Sequence, residues 1–309
     1  MNQSVREALP GQFAETLRAQ RFTVTAEITP PVSTDPQALL KKALPLRGLA
    51  DAVNVTDGAS ARASMSALAA AAILTRNNIE PILQFTCRDR NRIALQSDLL
   101  GAAALNIRNL LILRGDDPSA GDQPDAKPVF DLDTRTLTAI AAGIRDRGEL
   151  PSGRKVEGEA SFFLGAADSP IDPPPHWSPD GLKAKIAAGA QFAQTQFCMD
   201  IDIVRRYVAR LADEGITERL FILVGIAPLA SARSARWIRD NLRGSIIPDQ
   251  IVERLEAAAD PKQEGRRICV ELMAQFAEVP GIAGAHIMAP LNDSAIPMVI
   301  KDFRKICPA

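Results

Sequence analysis

The amino-acid sequence predicts a (β/α)8 barrel of the TIM type, built as a single catalytic domain over residues 1–309. Eight short apolar runs recur along the chain, and most of them end in a polar or acidic residue. The stretches between them carry Ala, Leu, Arg and Glu at helical spacing. No long linker, internal repeat or low-complexity tract interrupts this alternation, which favours one closed parallel barrel with its chemistry at the strand ends.

The predicted strands are runs of apolar and β-branched residues bounded by turn-forming residues. They cover residues 22–30, 51–58, 80–87, 109–116, 160–168, 192–200, 220–228 and 284–291. Helices are predicted between them, including residues 62–78, 90–105, 132–147 and 201–214. An extra amphipathic helix in residues 1–20 is expected to cover the barrel bottom or to pack on a neighbour. Helical patterns at 231–242, 248–259 and 261–278 indicate a helical insertion after the seventh strand.

Composition limits the function classes. A formal net charge of −1 gives no global reason to expect nucleic acid or an anionic membrane as a partner. The N-terminus lacks the apolar core of a signal peptide, so a cytoplasmic protein is expected. Four scattered cysteines and two histidines offer no metal-binding spacing, so no metal is expected. Acid and base chemistry is therefore expected to fall to carboxylates.

Two long loops rich in Pro, Gly and Asp follow the fourth and fifth strands, at residues 117–133 and 168–180. Loops of this length are uncommon in compact domains and are often functional. Each could be a rigid connection. Because both follow strands, both should lie on the catalytic face of a barrel and border a binding cleft.

Glu27 interrupts an apolar, β-branched strand just before a Pro-Pro pair that must end it. The side chain should project near the barrel mouth. A partly desolvated carboxylic acid at that place suits a general acid working near neutral pH. The alternative is a structural ion pair with a basic neighbour such as Arg114.

The fourth strand ends in Arg114, Gly115 and Asp116. Arginine offers planar donors for phosphate or carboxylate, and glycine lets the backbone approach a flat ligand. Asp116 is then a second carboxylate on the catalytic face. Alternatively, the acidic turn caps the next helix.

Other strand ends carry groups that suit a heterocyclic or phosphorylated ligand. Around Thr56 at the end of the second strand, backbone amides could hold a phosphate, or the segment could simply cap the next helix. Gln194 and Gln196 lie at alternate positions of the sixth strand, so their side chains point the same way. If they point into the barrel, their amides would suit the edge of a pterin, because an amide both donates and accepts hydrogen bonds. No Rossmann or P-loop pattern is present, so barrel loops would have to hold a dinucleotide.

Six motifs in order, AEITPP, VTDG, QFTCRDRNR, LRGDDP, LKAKIAAGAQFAQTQF and PLND, resemble those of the methylenetetrahydrofolate reductases. The resemblance spans about residues 22–303. It implies an FAD-dependent barrel enzyme that reduces 5,10-methylenetetrahydrofolate to 5-methyltetrahydrofolate with NADH or NADPH, by ping-pong hydride transfer through the flavin. Homo-oligomers are common among such proteins, and one is expected here.

Roles carry over from the resemblance by motif. Glu27 matches the general acid, Asp116 the carboxylate beside flavin and pterin, and Gln196 the amide that reads the pterin. The positions implied to contact the flavin are Thr56, Gln84, Arg114, Gly115, Asp116, Phe130 and Lys185.

This sequence departs from the family pattern where flavin is expected. Gln84 replaces a common His, an aromatic residue is missing around Ala167, and Asp293 replaces a common Arg. The segment 86–92 resembles reductases associated with methyl-transfer proteins, some of which take electrons from a protein; it could instead be a solvated helix start capped by Asp89. Two alternatives stay open: a flavin-independent NAD(P)H-folate reductase and a noncatalytic folate or methyl-carrier binding subunit.

Overall fold

In the computed structural model, which describes residues 11–290 and 292–307, eight parallel strands close into a barrel in chain order, with β8 paired to β1. The strands are β1 (Thr23–Ile28), β2 (Ala52–Val55), β3 (Pro81–Thr86), β4 (Asn109–Leu113), β5 (Phe163–Asp168), β6 (Phe192–Phe197), β7 (Phe221–Ile226) and β8 (Ile282–Ile287). The predicted fold class is confirmed. The last strand begins and ends earlier than predicted, and Pro290 lies beyond its end.

Eleven α-helices accompany the strands in the described residues. They are α1 (Gln12–Arg18), α2 (Pro36–Ala43), α3 (Ala67–Arg76), α4 (Arg92–Ala104), α5 (Thr134–Arg147), α6 (Asp180–Ala187), α7 (Ile201–Asp213), α8 (Ala232–Asn241), α9 (Asp249–Ala257), α10 (Pro261–Ala277) and α11 (Ile296–Ile306). Three of them, α8 to α10, lie between β7 and β8, which confirms the predicted insertion. Asp or Asn side chains accept backbone N–H groups at the start of five helices. These caps are Asp35, Asn91, Asp133, Asp200 and Asp260.

One helix starts later than the sequence predicts. The pattern over residues 62–78 predicts a helix from residue 62, but α3 begins at Ala67. Just before it, Gly58, Ser60 and Ala61 all have left-handed backbone, with φ of 62°, 54° and 53°. Because a right-handed helix needs negative φ, this segment forms a tight turn at the barrel mouth instead.

Helix α1 closes the bottom of the barrel, which is one of the two alternatives that the sequence predicts. Residues 1–10 of the predicted helix lie outside the described residues. The Phe13 ring lies 5.7 Å from the Phe163 ring and 5.1 Å from the Phe192 ring, centroid to centroid. At Gly165, a Cβ atom would come within 2.2 Å of Phe192, so glycine makes room for that ring inside the barrel. The carboxylate of Glu80 accepts the Phe13 N–H at 3.2 Å and fixes the helix start.

The main hydrophobic core fills the ring between the barrel and its helices, and a separate apolar cluster around Phe13 fills the barrel bottom. Above that cluster the inward-facing side chains become polar. None of the helices in residues 11–290 and 292–307 has both the length and the apolar character that crossing a bilayer requires.

We predict that Phe13→Ala lowers the free energy of unfolding by about 3 kcal/mol or more, because it leaves a cavity in the barrel bottom where Phe13 is fully buried. Urea denaturation followed by circular dichroism measures the change. Val32→Ala is the control, since Val32 is 87% exposed and should cost under about 0.5 kcal/mol. A loss for Phe13→Ala as small as that of the control would contradict the packing of α1.

Candidate active site at the barrel mouth

Glu27 lies near the carboxyl end of β1 and is half-buried among the inward-facing side chains. Its Oε2 atom accepts a hydrogen bond of 2.7 Å from Nε2 of Gln84 and lies 3.7 Å from Nε2 of His286. In the part of the chain that the structure describes, no lysine or arginine pairs with Glu27. Arg114 instead lies over the Phe130 ring, 4.7 Å from its centroid, so the alternative of a Glu27–Arg114 ion pair is wrong.

Below Glu27, four buried polar side chains bond to one another across the barrel. Gln194 exchanges two hydrogen bonds with Asn54, of 2.6 and 3.0 Å. Gln194 also donates to Oγ1 of Thr25 at 3.0 Å, and that oxygen lies 2.9 Å from Nδ1 of His286. Gln194 therefore points inward, as one reading of its strand predicts. Asn54, Thr25 and His286 were not singled out from the sequence, although each is a polar residue in an apolar strand, as Glu27 is.

The end of β4 places its three predicted residues differently. Arg114 and Asp116 are exposed at the rim, while Gly115 has a φ of 92°. A Cβ atom on Gly115 would come within 2.8 Å of Cβ of Arg88. Both the positive φ and this close contact therefore require glycine at position 115. Asp116 Oδ2 accepts the Ser60 N–H at 2.8 Å and joins the loops after β2 and β4. The neighbouring Asp117, not Asp116, is the residue that caps a short 3₁₀ turn.

At the end of β2, Thr56 is 2% exposed, and its hydroxyl oxygen has no hydrogen-bond partner among the described residues. Strand alternation from Asn54 directs it inward. The adjacent Asp57 accepts bonds of 2.9 Å from the backbone N–H and the hydroxyl of Thr86, and it also pairs with Arg90. Asp57 is therefore a brace between strands. The capping reading is wrong here, because the N-cap of α3, Ser66, makes no side-chain cap in the described structure.

The arginines of segment 86–92 are all paired within the chain. Arg88, which is buried, bonds to Asp89 and donates to the carbonyl oxygens of Gly58 and Asp116 at 3.2 and 3.3 Å. Other pairs in this segment are Arg90 with Asp98 and Arg92 with Asp131. The cap of α4 is Asn91, so the reading of Asp89 as the cap is wrong.

Lys185 reaches the end of β5 from α6. Its Nζ atom donates to the carbonyl oxygen of Ala167 at 2.5 Å and lies 3.8 Å from Oδ1 of Asp168. The Tyr207 hydroxyl donates to the other oxygen of Asp168. Burial raises the pKa of the Asp168 carboxyl group above its usual value of 3.8, while the Tyr207 and Lys185 contacts lower it. Burial also raises the pKa of the Tyr207 hydroxyl.

The predicted residues thus form three local groups. Glu27 and Gln84 bond directly, Arg114 stacks on Phe130, and Lys185 meets Asp168. Gln196, which is expected to bind the pterin, directs its amide at the backbone instead. Its Oε1 atom accepts the Phe197 N–H at 3.0 Å, and its Nε2 atom donates to the carbonyl oxygen of Arg243 at 3.4 Å. Among the described contacts, none joins Glu27 to Asp116 or to Gln196.

A parallel barrel with a half-buried carboxylate and a polar interior at its mouth defines the class as a TIM-barrel enzyme. Comparison with known families makes this specific. The model of the methylenetetrahydrofolate reductase family matches residues 12–304, and the chain belongs to that family.

Two curated relatives have similar sequences. The chain is 26% identical over 248 residues to a protein of Caenorhabditis elegans described as probable methylenetetrahydrofolate reductase (NADPH), covering 78% of this chain and 34% of the relative. It is 26% identical over 244 residues to methylenetetrahydrofolate reductase 1 of Schizosaccharomyces pombe, covering 74% of this chain and 36% of the relative. The chain thus spans about a third of the length of the curated relatives it matches.

A solved structure shares the fold. EDTA monooxygenase (EmoA) from Chelativorans sp. BNC1 superposes with a TM-score of 0.57 and 12% identity, covering 93% of each chain. At this identity, the similarity shows the barrel fold alone.

We predict that Tyr207→Phe lowers the free energy of unfolding by about 1–3 kcal/mol near neutral pH and by less near pH 4. The Tyr207 hydroxyl stabilises the ionised form of Asp168. Because the pKa of Asp168 is higher in the folded protein than in the unfolded chain, its ionisation destabilises the fold once the pH rises above the unfolded-state pKa. Tyr207→Phe raises the folded-state pKa further, so the variant loses more stability at neutral pH than at pH 4. Urea denaturation at the two pH values measures the difference.

The control for this prediction is the same substitution in an Asp168→Asn background. There Tyr207→Phe should cost the same at both pH values, because position 168 no longer titrates. A pH-independent cost in the wild-type background would contradict the ionised Asp168–Tyr207 contact.

Proposed function

We propose that this protein reduces 5,10-methylenetetrahydrofolate to 5-methyltetrahydrofolate, with NADH or NADPH as the electron source. The observation that carries the proposal is Glu27, a half-buried carboxyl group at the barrel mouth that is held by Gln84 and pairs with no lysine or arginine among the described residues. Membership of the methylenetetrahydrofolate reductase family supports the substrate class.

In this proposal Glu27 is the general acid. Opening of the methylene bridge breaks a carbon–nitrogen bond, and the departing nitrogen takes the bonding electron pair together with the proton of Glu27. This leaves a cationic iminium carbon, to which a hydride adds. Gln84 donates one N–H to Oε2 of Glu27 and so fixes the position of the carboxyl group. The Gln84 amide is uncharged, so it brings no positive charge to Glu27. A lysine in the place of Gln84 would favour the ionised carboxylate, which could not act as an acid.

Asp116 and Gln196 are proposed to complete the substrate site. Asp116 is an exposed carboxylate, and its negative charge would favour the iminium cation. The Gln196 amide would read the pterin edge after leaving its backbone partners. Its bond to Arg243, of 3.4 Å, is long and therefore easily exchanged for a bond to ligand.

FAD is the proposed cofactor, and the barrel mouth offers groups that fit it. The Thr56 hydroxyl, buried with no partner among the described residues, is the kind of orphaned polar atom that a ligand satisfies. Arg114 is exposed over Phe130 and forms no ion pair in the described chain, so it is available to a phosphate. Gln84, Gly115, Asp116, Phe130 and Lys185 are the other proposed contacts. When bound, FAD would supply a two-electron relay between the nicotinamide and the folate, and ping-pong kinetics are proposed on that basis.

We also propose a cytoplasmic homo-oligomer. Support for the compartment comes from the four cysteines, which are all unpaired. Burial raises the pKa of the Cys87 thiol to about 11 and that of Cys198 to about 12. These two thiols are therefore largely un-ionised at neutral pH, so a redox role for them is not part of the proposal.

A second candidate function is direct hydride transfer from nicotinamide to folate without flavin. One observation favours it: Lys185, a proposed flavin contact whose charge would suit the diphosphate, already shares that charge with Asp168 and the Ala167 carbonyl. Two of the departures from the family pattern have partners within the chain, since Gln84 bonds Glu27 and Asp293 pairs with Lys42 at 3.2 Å.

We predict that Glu27→Gln abolishes folate reduction but retains NAD(P)H oxidation with an artificial acceptor, because only the folate reaction needs the acid. Both rates are measured on purified protein. Glu80→Gln is the matched control, since Glu80 is half-buried at the opposite end of the barrel and should leave both rates near wild type. If Glu27→Gln retains folate reduction within a few-fold of wild type, the assigned mechanism is wrong; indifference in both assays fits a binding subunit.

We predict that Asp168→Asn tightens FAD binding about two- to fivefold, because it releases the charge of Lys185 for the diphosphate. Fluorescence titration of FAD measures the dissociation constant. Asp172→Asn is the control: Asp172 lies in the loop that follows β5 but pairs with Arg206 at 2.7 Å, on the surface. Unchanged or weaker FAD binding in Asp168→Asn would contradict a role of Lys185 at the diphosphate.

A further inference from the structure

We propose that His286 is a positioning residue for Glu27. Its neutral ring carries its proton on Nε2, directs that N–H at the Glu27 carboxyl group, and stabilises the carboxylate that remains after the proton has passed to the folate. The inference rests on the proposed role of Glu27 as the acid, and it adds a residue that the sequence resemblance does not assign.

His286 reaches Glu27 because the barrel closes between β8 and β1. In the register of these strands Thr25 lies opposite His286, and Glu27 is two residues further along β1, on the same inward face. His286 is 2% exposed. Its two ring nitrogens therefore meet protein groups: Nδ1 lies 2.9 Å from Oγ1 of Thr25, and Nε2 lies 3.7 Å from Oε2 of Glu27.

The proton position on His286 follows from a chain of hydrogen bonds that starts at Asn54. Asn54 donates to Oε1 of Gln194 at 2.6 Å, and Gln194 donates back to Oδ1 of Asn54 at 3.0 Å. In this structure the nitrogen end of the Gln194 amide lies on the side of Thr25. Nε2 of Gln194 must then donate to Oγ1 of Thr25 as well, since it lies 3.0 Å from that oxygen.

Because Thr25 accepts from Gln194, its own hydroxyl proton is available to a different partner. The two acceptors within reach are Nδ1 of His286 at 2.9 Å and the Ala285 carbonyl oxygen at 3.5 Å. The shorter contact has the geometry of a hydrogen bond, while the longer one is at the limit. Nδ1 of His286 is therefore the acceptor, and in the neutral ring the proton lies on Nε2, the nitrogen that faces Glu27.

Two N–H groups thus face the same oxygen of Glu27, one from Gln84 at 2.7 Å and one from His286 at 3.7 Å. The second distance is that of an electrostatic contact, longer than a hydrogen bond. It becomes more favourable when Glu27 gives its proton to the departing nitrogen and becomes negative. The imidazole neither gains nor loses a proton in this step, and Glu27 regains its proton from water.

The first test reads the tautomer directly, without any need for activity. With two histidines in the chain, a ¹⁵N–¹H multiple-bond correlation spectrum of histidine-labelled protein contains two ring systems. His176→Gln identifies the signals of His286. We expect a pyrrole-type Nε2 and a pyridine-type Nδ1 for His286, and loss of this single tautomer in Thr25→Val. A protonated Nδ1, or a spectrum that Thr25→Val leaves unchanged, overturns the proposal.

The matched control is Thr23→Val, on the same face of β1. Thr23 is also fully buried, but its hydroxyl donates to the Arg21 carbonyl oxygen and lies outside the chain of bonds to His286. Thr23→Val should leave the His286 signals in place. A change of tautomer in Thr23→Val equal to that in Thr25→Val would show that any cavity in this strand perturbs the ring, and would overturn the proposal.

The second test is kinetic. We expect His286→Leu to lower kcat for folate reduction about tenfold, with KM for the folate within about twofold, because the lost contact strengthens only as charge develops on Glu27. His286→Gln should recover most of the loss, since its amide keeps an N–H near the position of Nε2. A fall in KM and kcat together, or no recovery with Gln, overturns the positioning role.

The two tests separate the inference from the proposed function. If the wild-type protein shows the Nε2–H tautomer but does not reduce the folate, the proposed function fails while the hydrogen-bond chain stands. If it reduces the folate but His286 carries its proton on Nδ1, the proposed function stands and the positioning role is wrong.

Discussion

The eight strands close around an interior lined by buried side chains, so a polar group placed there must find its hydrogen-bond partner inside the barrel. At the bottom of the barrel apolar side chains fill the interior instead, and Phe13 of α1 packs against the aromatic rings among them. In the layer above, four polar side chains hydrogen-bond to one another: Asn54, Gln194, Thr25 and His286. Glu27 lies at the top of this layer, where the interior opens. Its half-buried state and its neighbours follow from the closure of the barrel.

The mouth above this layer is built from loops that brace one another. Arg88 is buried and bonds to the loops after β2 and β4, while Asp57 joins β2 to β3. Asp116 adds a bond to the turn at Ser60, whose left-handed backbone is strained for a residue with a side chain. These contacts hold Arg114, Gly115 and Asp116 beside the barrel opening. Arg88 and Asp57 therefore brace the mouth without a proposed ligand role, while Asp116 both braces the turn at Ser60 and is proposed to bind ligand.

The sequence predicts the parts of the site that belong to single strands. Glu27 before a Pro-Pro pair, the Arg-Gly-Asp end of β4 and the alternation of Gln194 are local patterns, and the structure places all of them at or inside the barrel mouth. Pairings between distant strands are not visible in this way. His286 meets Thr25 across 261 residues of sequence, and Tyr207 meets Asp168 across 39, so each pairing depends on strand register or helix docking. The start of α3 differs from the prediction for a related reason, since the left-handed turn at residues 58–61 depends on contacts with the loop after β4.

The central claim is that this barrel makes 5-methyltetrahydrofolate. The most direct test is to incubate the purified protein anaerobically with 5,10-methylenetetrahydrofolate and NADH or NADPH, with and without added FAD, and to quantify the folates by chromatography. Our account predicts 5-methyltetrahydrofolate in amounts that exceed the enzyme and depend on the nicotinamide. If folded protein forms none of it with either nicotinamide, with or without FAD, the proposed function is contradicted.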